Sequence, residues 1–270
     1  MKKLNEENKK EVIEYLMREP EMNLFALGDI ETLGIDSEKV SAYTSENWGN
    51  GIMPYFILDY LGDYLIYSHS ENYNSQEVAD FLRIKNARFV NGKQEIIAKL
   101  SSHFRVTSVT DTYMARLNFN SIKQLEEHTL IIRRLKDADL KDIYLLYMQI
   151  EEFKNYYFDG KKEDAIKKIS TDLNGNGRIY GLFSNDVLVS VARTTAETKH
   201  YAMVVGVSTI PEYRNRGYAT YVVSKLCRDC LEEGMRFLCL FYNNPSAGKI
   251  YNQIGFEELG IFSMMRIDEV

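Results

Sequence analysis

The chain contains a strand-to-helix junction, Thr209-Ile210-Pro211-Glu212-Tyr213-Arg214-Asn215-Arg216-Gly217-Tyr218-Ala219-Thr220. The apolar, β-branched run Tyr201 to Thr209 that leads into it predicts a strand. Pro211 has no N–H group and therefore ends the hydrogen-bonded ladder of that strand. The residues from about Gly217 to Glu233 predict a helix, whose first N–H groups have no acceptor within the helix.

The residues of this junction are suited to binding an anion. Gly217 lets the backbone approach a ligand without a Cβ atom in the way. The positive end of the helix dipole faces the loop, and Arg214 and Arg216 add positive charge beside it. The junction therefore predicts a phosphate site, and we expect it to hold a pyrophosphate.

Two motifs carry a resemblance to a known family. The segment Arg214-Asn215-Arg216-Gly217-Tyr218-Ala219 resembles the Arg/Gln-x-x-Gly-x-Gly/Ala signature of the GNAT superfamily, the acyl-CoA-dependent N-acetyltransferases. After a predicted strand from Arg236 to Tyr242, the pattern Asn244-x-x-Ala247-x-x-x-Tyr251-x-x-x-Gly255-Phe256 looks like the family's next landmark. The resemblance covers about residues 129 to 270. The alternative interpretation of the Gly-containing loop is a tight turn without a ligand. A dinucleotide site would require the motif Gly-x-Gly-x-x-Gly, which the chain lacks.

The resemblance implies an α+β (mixed α/β) fold of the GNAT acyl-CoA N-acyltransferase type, with a central mixed, mostly antiparallel sheet flanked by helices. The predicted elements of residues 1–125 follow a similar order without the motifs. Where a phosphate loop would fall, the segment Ser68 to Asn74 contains neither Gly nor Arg. We therefore expect two tandem GNAT-like domains. Residues 1–125 would form a degenerate domain that covers the acceptor site, or else an unrelated α+β module, and residues 126–270 the acetyltransferase domain.

The resemblance also implies acetyl-CoA as the acyl donor, with no metal. Backbone N–H groups of the junction would hold the pyrophosphate, and the edge of the preceding strand would hold the pantetheine arm. A backbone N–H group there can also stabilise the oxyanion that forms from the thioester. The residues expected to bind the cofactor are Val207, Ser208, Thr209, Arg214, Asn215, Arg216, Gly217, Tyr218, Ala219, Thr220 and Asn244.

For the chemistry, the family pattern assigns Tyr251 as the general acid that protonates the departing thiolate, since thiol and phenol pKa values are close. A purely structural role in the core is the alternative. Asn244 would hold the pantetheine or cap the following helix, for which Ser246 is an equal candidate. Many family members carry a Glu on the strand before the phosphate loop, but Tyr201 to Thr209 has no carboxylate. The candidate bases are Glu151, Glu152 and Glu197, and each also fits a solvated surface charge.

The composition bears on the kind of binding partner and on the cellular compartment of the protein. The net charge of −6 argues against nucleic acid and is compatible with a cationic amine as acceptor. The N-terminal residues give no readable signal peptide and no run spans a membrane, so we expect a cytoplasmic protein. Cys227 and Cys230 fall on the apolar stripe of the helix after the phosphate loop, which predicts buried free thiols and no metal or redox site.

Three functions remain open on the sequence. The first is transfer of an acetyl group to a primary amine of a small molecule, by direct attack in a ternary complex. The second is transfer to a protein or peptide amine, and the third is a non-catalytic acyl-CoA-binding module. Retention of both motifs favours catalysis, and the additional domain favours a small acceptor. The sequence does not distinguish a monomer from a homodimer.

Overall fold

The computed structural model describes residues 1–48, 53–126, 129–151, 153–154, 161–175 and 177–268. The chain forms two compact units, Met1–Met114 together with Leu259–Val270, and Ala115–Glu258. The expected boundary between residues 125 and 126 therefore falls within the second unit. The C-terminal segment is part of the first unit because its strand pairs with a strand of that unit.

The first unit is a mixed sheet with helices. Its strands are β1 (Lys2–Leu4), β2 (Val40–Thr44), β3 (Phe56–Tyr60), β4 (Asp63–Tyr67), β5 (Phe89–Lys93) and the first part of β6 (Val106–Asn118). Its helices are α1 (Lys9–Leu16), α2 (Leu24–Leu33), α3 (Ser75–Ile84) and α4 (Gln94–Ser101). β4 and β5 are parallel, and the C-terminal strand of the chain, residues 257–267, runs antiparallel to β5. The strands β2 to β5 and this C-terminal strand share one buried apolar cluster with α3 and α4.

The second unit has a sheet covered on both faces. It contains β7 (Ile131–Arg134), α5 (Leu140–Tyr147), α6 (Lys162–Leu173), β8 (Ile179–Ser184), β9 (Val187–Thr195), β10 (Tyr201–Thr209), α7 (Tyr218–Glu232), β11 (Phe237–Tyr242), α8 (Pro245–Ile254) and the start of β12 (Glu257–Ile267). The strand order is β7-β8-β9-β10-β11-β6. The strands β10 and β11 are parallel, and the pairs β7–β8, β8–β9 and β9–β10 are antiparallel. Apolar residues of α7 and α8 cover one face and those of α5 and α6 the other.

The architecture confirms the expected α+β fold, and several details differ from the sequence expectation. The sequence around Glu257 to Ile267 predicts a closing pair of strands, but Glu257–Ile267 is one long strand, because the chain makes no turn within it. The helix α2 was not predicted, since its sequence, LFALGDIETL, is apolar on most sides and lacks an amphipathic stripe. The sequence Gly49-Asn50-Gly51 predicts a connection between two strands, and these residues lie outside the described part of the chain. None of the described helices is both long enough and apolar enough to cross a membrane.

Candidate functional site

The centre of the candidate site is the strand β10, whose register against its neighbours changes along its length. Opposite β9, Val205 pairs with Arg193 and Ser208 with Val191, so an irregularity falls between Val205 and Ser208. Gly206 lies within it with a φ of +61°, a backbone conformation that glycine adopts without strain. The sequence analysis did not single out Gly206.

On its other side, β10 separates from β11. The two strands pair in parallel from Tyr201 opposite Phe237 to Met203 opposite Cys239. Beyond Met203, no further pairing between them is recorded among the described residues, although β10 continues to Thr209 and β11 to Tyr242. This leaves the backbone of residues 204–209 as a free sheet edge at the carboxyl ends of two parallel strands, a place where extended ligands can add as a strand.

The loop after β10 presents a row of backbone donors. Asn215 and Gly217 both have positive φ angles, +61° and +77°, which turn successive N–H groups toward one side. Tyr221 donates to the Gly217 carbonyl over 3.1 Å and closes the first turn of α7. For the six N–H groups of residues 215–220, no acceptor is present among the described residues, and no side chain caps the helix. Donors without acceptors at a helix N-terminus form an anion-binding site.

The side chains of the two arginines in the loop donate hydrogen bonds to backbone carbonyl groups that are close to them in sequence. Arg214 Nε donates to the Thr209 carbonyl over 3.1 Å, and Arg216 Nη2 donates to the Glu212 carbonyl over 3.2 Å. Both side chains remain exposed. They therefore brace the loop and also contribute positive charge beside the donor row.

The remaining residues that were expected to bind the cofactor surround these donors. Val207 and Tyr218 pack against the apolar cluster under α7. Thr220 is buried and Ala219 is partly buried in the first turn of that helix. The Ser190 hydroxyl donates to the Ser208 carbonyl over 2.9 Å and lies 2.8 Å from Thr209 Oγ1. Ser208 Oγ is buried and has no hydrogen-bond partner among the described residues. Hydrogen bonds from β9 thus hold the carboxyl end of β10, and the Ser208 hydroxyl oxygen remains without a partner among the described residues.

Tyr251, the expected general acid, lies on α8 and is only 8 % exposed. Its ring packs against Tyr242 and Phe256, with centroid distances of 5.6 and 5.8 Å. Burial raises the pKa of Tyr251 to about 12, with a smaller contribution from the nearby Cys227. No hydrogen bond joins its hydroxyl to another described residue. The phenol is therefore kept protonated in an apolar setting.

Asn244 occupies the N-cap of α8. Its side-chain oxygen accepts a hydrogen bond from the Ser246 N–H group over 2.9 Å. Of the two capping candidates, the structure thus selects Asn244, and Ser246 supplies the capped N–H group. The exposed Asn244 side chain keeps its amide hydrogens available.

The base candidates differ in their surroundings. Glu197 is tied to Arg178 by two contacts of 3.0 Å and also accepts a hydrogen bond from Thr194 Oγ1. The Arg178 guanidinium is nearly buried and also pairs with Glu233 at 2.7 Å, which makes this network part of the unit's scaffold. Glu151 is exposed, and Glu152 lies outside the described residues. The sequence analysis missed Arg178, because its partners lie far from it along the chain.

Cys227 and Cys230 are buried and free, as expected from their helical spacing, and Cys239 is also buried and free. Burial raises the pKa of both Cys227 and Cys230, the latter to about 12, so both remain thiols at ordinary pH. Within the part of the chain that the structure describes, no group of three or more His, Cys, Asp or Glu residues is placed to hold a metal ion.

The chain is similar to known proteins in family and in fold. The acetyltransferase (GNAT) domain family matches residues 132–259. No curated protein sequence matches the chain. Among solved structures, a GCN5-related N-acetyltransferase from Sphaerobacter thermophilus is 13% identical and has a TM-score of 0.59, covering 91% of this chain and 86% of its own. One from Kribbella flavida is 14% identical with a TM-score of 0.57, covering 79% of this chain and 86% of its own.

A Drosophila protein of solved structure spans nearly the whole chain. It is 10% identical with a TM-score of 0.65, and the match covers 99% of this chain and 98% of that protein. At such identities the likeness shows the fold alone. The match of residues 132–259 to the acetyltransferase (GNAT) domain family, together with the fold, indicates an acyltransferase domain.

Proposed function

We propose that the protein transfers an acetyl group from acetyl-CoA to a primary amine of a small molecule, by direct attack in a ternary complex. The observation that carries the proposal is the row of N–H groups at residues 215–220, beside the free edge of β10. These donors suit a pyrophosphate, and Gly217 leaves the approach to them open because it is exposed and has no Cβ atom. The residues present therefore fit the CoA group.

The chain's own groups would bind and orient the two substrates. Acetyl-CoA supplies an activated thioester when bound. The edge of residues 204–209 offers backbone groups to the amides of the pantetheine arm, and the exposed Asn244 amide lies at the start of α8 as a further donor. A backbone N–H group of Val207 to Thr209 would point at the thioester oxygen, since the irregularity at Gly206 redirects the strand there.

Tyr251 is the proposed proton donor. Its raised pKa keeps the hydroxyl protonated across the pH range in which enzymes work, so it can always donate a hydrogen bond. The same shift makes complete proton transfer to a thiolate less favourable than from an ordinary phenol. We therefore assign Tyr251 to stabilising the departing sulfur by donating a hydrogen bond from its hydroxyl group.

We assign the cofactor to the second unit alone. In the first unit, the helix that follows β4 is capped, since Asn74 Oδ1 accepts from the Glu77 N–H group over 3.1 Å. In the loop before it, the N–H groups of His69, Ser70 and Asn72 donate to side-chain oxygens. Donors that already have acceptors offer no nest to a phosphate. One CoA per chain is the consequence.

For the acceptor, we propose a cationic amine. The net charge of −6 favours its approach, and no carboxylate on β10 is available as a base. An amine that loses its proton to water, or through a water relay, needs no such side chain. The acceptor is proposed to be small, with a protein or peptide amine as the alternative.

Calorimetric titration with CoA tests the cofactor site. We expect one site per chain, and a loss of affinity of at least about tenfold in Gly217→Val, because a branched side chain at a φ of +77° strains the nest and fills its mouth. Gly234→Val is the matched control, since Gly234 has a φ of +102° with open space around its Cβ position. Two sites per chain, or equal losses in both variants, would contradict the assignment.

Release of CoA from acetyl-CoA in the presence of single amines tests the reaction. We expect turnover with at least one small primary amine and acetylation of its nitrogen, detected as a mass gain in the product. If only peptide or protein amines are acetylated, the acceptor is not small. If CoA binds but no amine of either kind reacts, the proposed reaction fails.

A further inference from the structure

A cavity that is open to solvent and has a volume of about 400 Å³ is lined in the first unit by residues of β1 and α1 and by Trp48 and Met53. Its lining residues Glu11, Glu14 and Arg18 are exposed. Its volume falls within the range of about 300–1,000 Å³ that small-molecule sites occupy. Six of its lining residues carry a charge or an aromatic ring: Lys2, Arg18, Glu11, Glu14, Tyr15 and Trp48. The reaction proposed above makes no use of this cavity.

The two cations of the cavity are held by aromatic rings. Lys2 Nζ lies 4.8 Å from the centroid of the Trp48 ring, and the Arg18 guanidinium carbon lies 5.3 Å from that of Tyr15. A ring face attracts a cation and orients it but leaves its charge and most of its N–H groups unused. Neither cation forms an ion pair with a described residue. Both are therefore available to an anionic group in the cavity.

The two carboxylates of the cavity are also available. Glu11 and Glu14 project from consecutive turns of α1, and neither forms an ion pair or a side-chain hydrogen bond with a described residue. The cavity thus presents two cationic and two anionic side chains that form no ion pair with one another. The formal charges of the four side chains cancel, so a ligand with a single charge would complement one pair and be repelled by the other.

We infer that this cavity binds a small zwitterion of the aminocarboxylate class, such as a free amino acid. The carboxylate of the ligand lies between Lys2 and Arg18, and its ammonium group lies at Glu11 and Glu14. Charge-assisted hydrogen bonds at both ends fix its orientation. The inference rests on the first unit alone and holds whether or not the proposed transfer reaction is correct.

Trp48 makes the test direct, because it is the only tryptophan in the chain and lines the cavity. The full-length protein is titrated with non-aromatic free L-amino acids, one at a time, and the tryptophan emission is recorded. We expect a saturable change with at least one of them. The amide and the N-acetyl derivative of that amino acid, which lack the carboxylate and the ammonium group respectively, should each bind at least about tenfold more weakly.

Variants separate this cavity from any other binding place. Arg18→Met and Lys2→Met keep the side-chain stems and remove one cation each, and Glu11→Gln with Glu14→Gln removes both carboxylates at nearly unchanged volume. Each should weaken binding by about tenfold or more at an unchanged melting temperature. Lys10→Met is the matched control, since Lys10 is exposed on the same helix and does not line the cavity.

Three results would overturn the inference. One is the lack of a saturable emission change with any amino acid below about 10 mM. Another is equal affinity for the parent amino acid and both derivatives, which would show that the ligand's two charges are not recognised. The third is an affinity unchanged in the cavity variants or reduced equally in Lys10→Met, which would place the ligand elsewhere.

Discussion

A Cβ atom added to Gly206 would lie 3.1 Å from Cγ of Arg193, the residue beside it on the neighbouring strand. The stem of Arg193 thus packs directly against the irregular part of β10. Its guanidinium is held in turn by Asp172, with 2.8 Å between Nη1 and Oδ2. The conformation of the strand beside the proposed thioester site is therefore supported by side chains of β9 and α6.

The variant Gly206→Ala should lose activity by changing this backbone. An alanine at a φ of +61° is strained, and its methyl group would displace the Arg193 stem. We expect a loss of stability of about 1–3 kcal/mol and a fall in turnover of about tenfold or more, since misplacement near 1 Å at a reacting centre is costly. Thermal unfolding and steady-state kinetics measure the two effects.

Gly234→Ala is the control for that prediction. Gly234 also has a positive φ, but a Cβ atom there would meet nothing within 4 Å. It should therefore share part of the stability loss and leave turnover near wild type. A similar fall in turnover in both variants would assign the effect to general destabilisation.

The strand β10 was predictable from the sequence, whereas the irregularity at Gly206 within it was not. The run Tyr201 to Thr209 has the β-branched and apolar composition of a strand, and the structure gives it the same bounds. The irregularity at Gly206 depends on how two strands separated in sequence come into register. A single glycine within a strand was the only local indication of it.

The variant Tyr251→Phe tests the proposed proton donor. It keeps the ring between Tyr242 and Phe256 and removes only the hydroxyl, so CoA affinity should stay near wild type. If Tyr251 assists the departing sulfur, turnover should fall by about 10²–10⁴. Single-turnover kinetics give the chemical step directly.

Tyr180→Phe provides the comparison for Tyr251→Phe. The Tyr180 hydroxyl is also in the second unit and donates to Asp229 over 2.6 Å, away from the motif residues in sequence. Its loss should lower the unfolding free energy by about 1–2 kcal/mol and leave turnover unchanged. An unchanged chemical step in Tyr251→Phe would make that tyrosine structural as well.

Site details that depend on tertiary contacts were beyond the sequence. The sequence made Asn244 and Ser246 equal candidates for the N-cap of α8. Only the backbone geometry selects Asn244 as the cap. Glu197 was one of the three candidate bases on the sequence. Its partner Arg178 lies on the other side of a hairpin, so the ion pair exists only in the folded unit.

Asp29 predicts a pH dependence of stability. Burial raises its pKa to about 6, above the value of about 3.9 expected in the unfolded chain. The folded state therefore binds this proton more tightly, and the associated stability is fully present below about pH 4 and is lost as the pH rises through 6. Asp29→Asn should remove this loss and raise the unfolding free energy at pH 8 by on the order of 1–2 kcal/mol.

Denaturant unfolding of wild type and variant at pH 4 and pH 8 measures this difference. Glu31→Gln, an exposed position on the same helix α2, removes a carboxylate without relieving burial and should change little at either pH. Equal shifts in both variants would mean that the helix responds to net charge and not to the buried Asp29.

Two adjacent methionines test whether the C-terminal strand belongs to the first unit. Met265 pairs with Val90 and is buried in the cluster under α3 and α4, whereas Met264 pairs with Asn91 and is 42 % exposed. Met265→Ala should cost about 2–5 kcal/mol, because it leaves a cavity in that core. Met264→Ala should cost less than about 0.5 kcal/mol. Amide hydrogen exchange in the full-length protein should show the loss of protection in α3 and α4. Equal costs for the two variants, or a loss confined to the helices α7 and α8, would place this strand in another core.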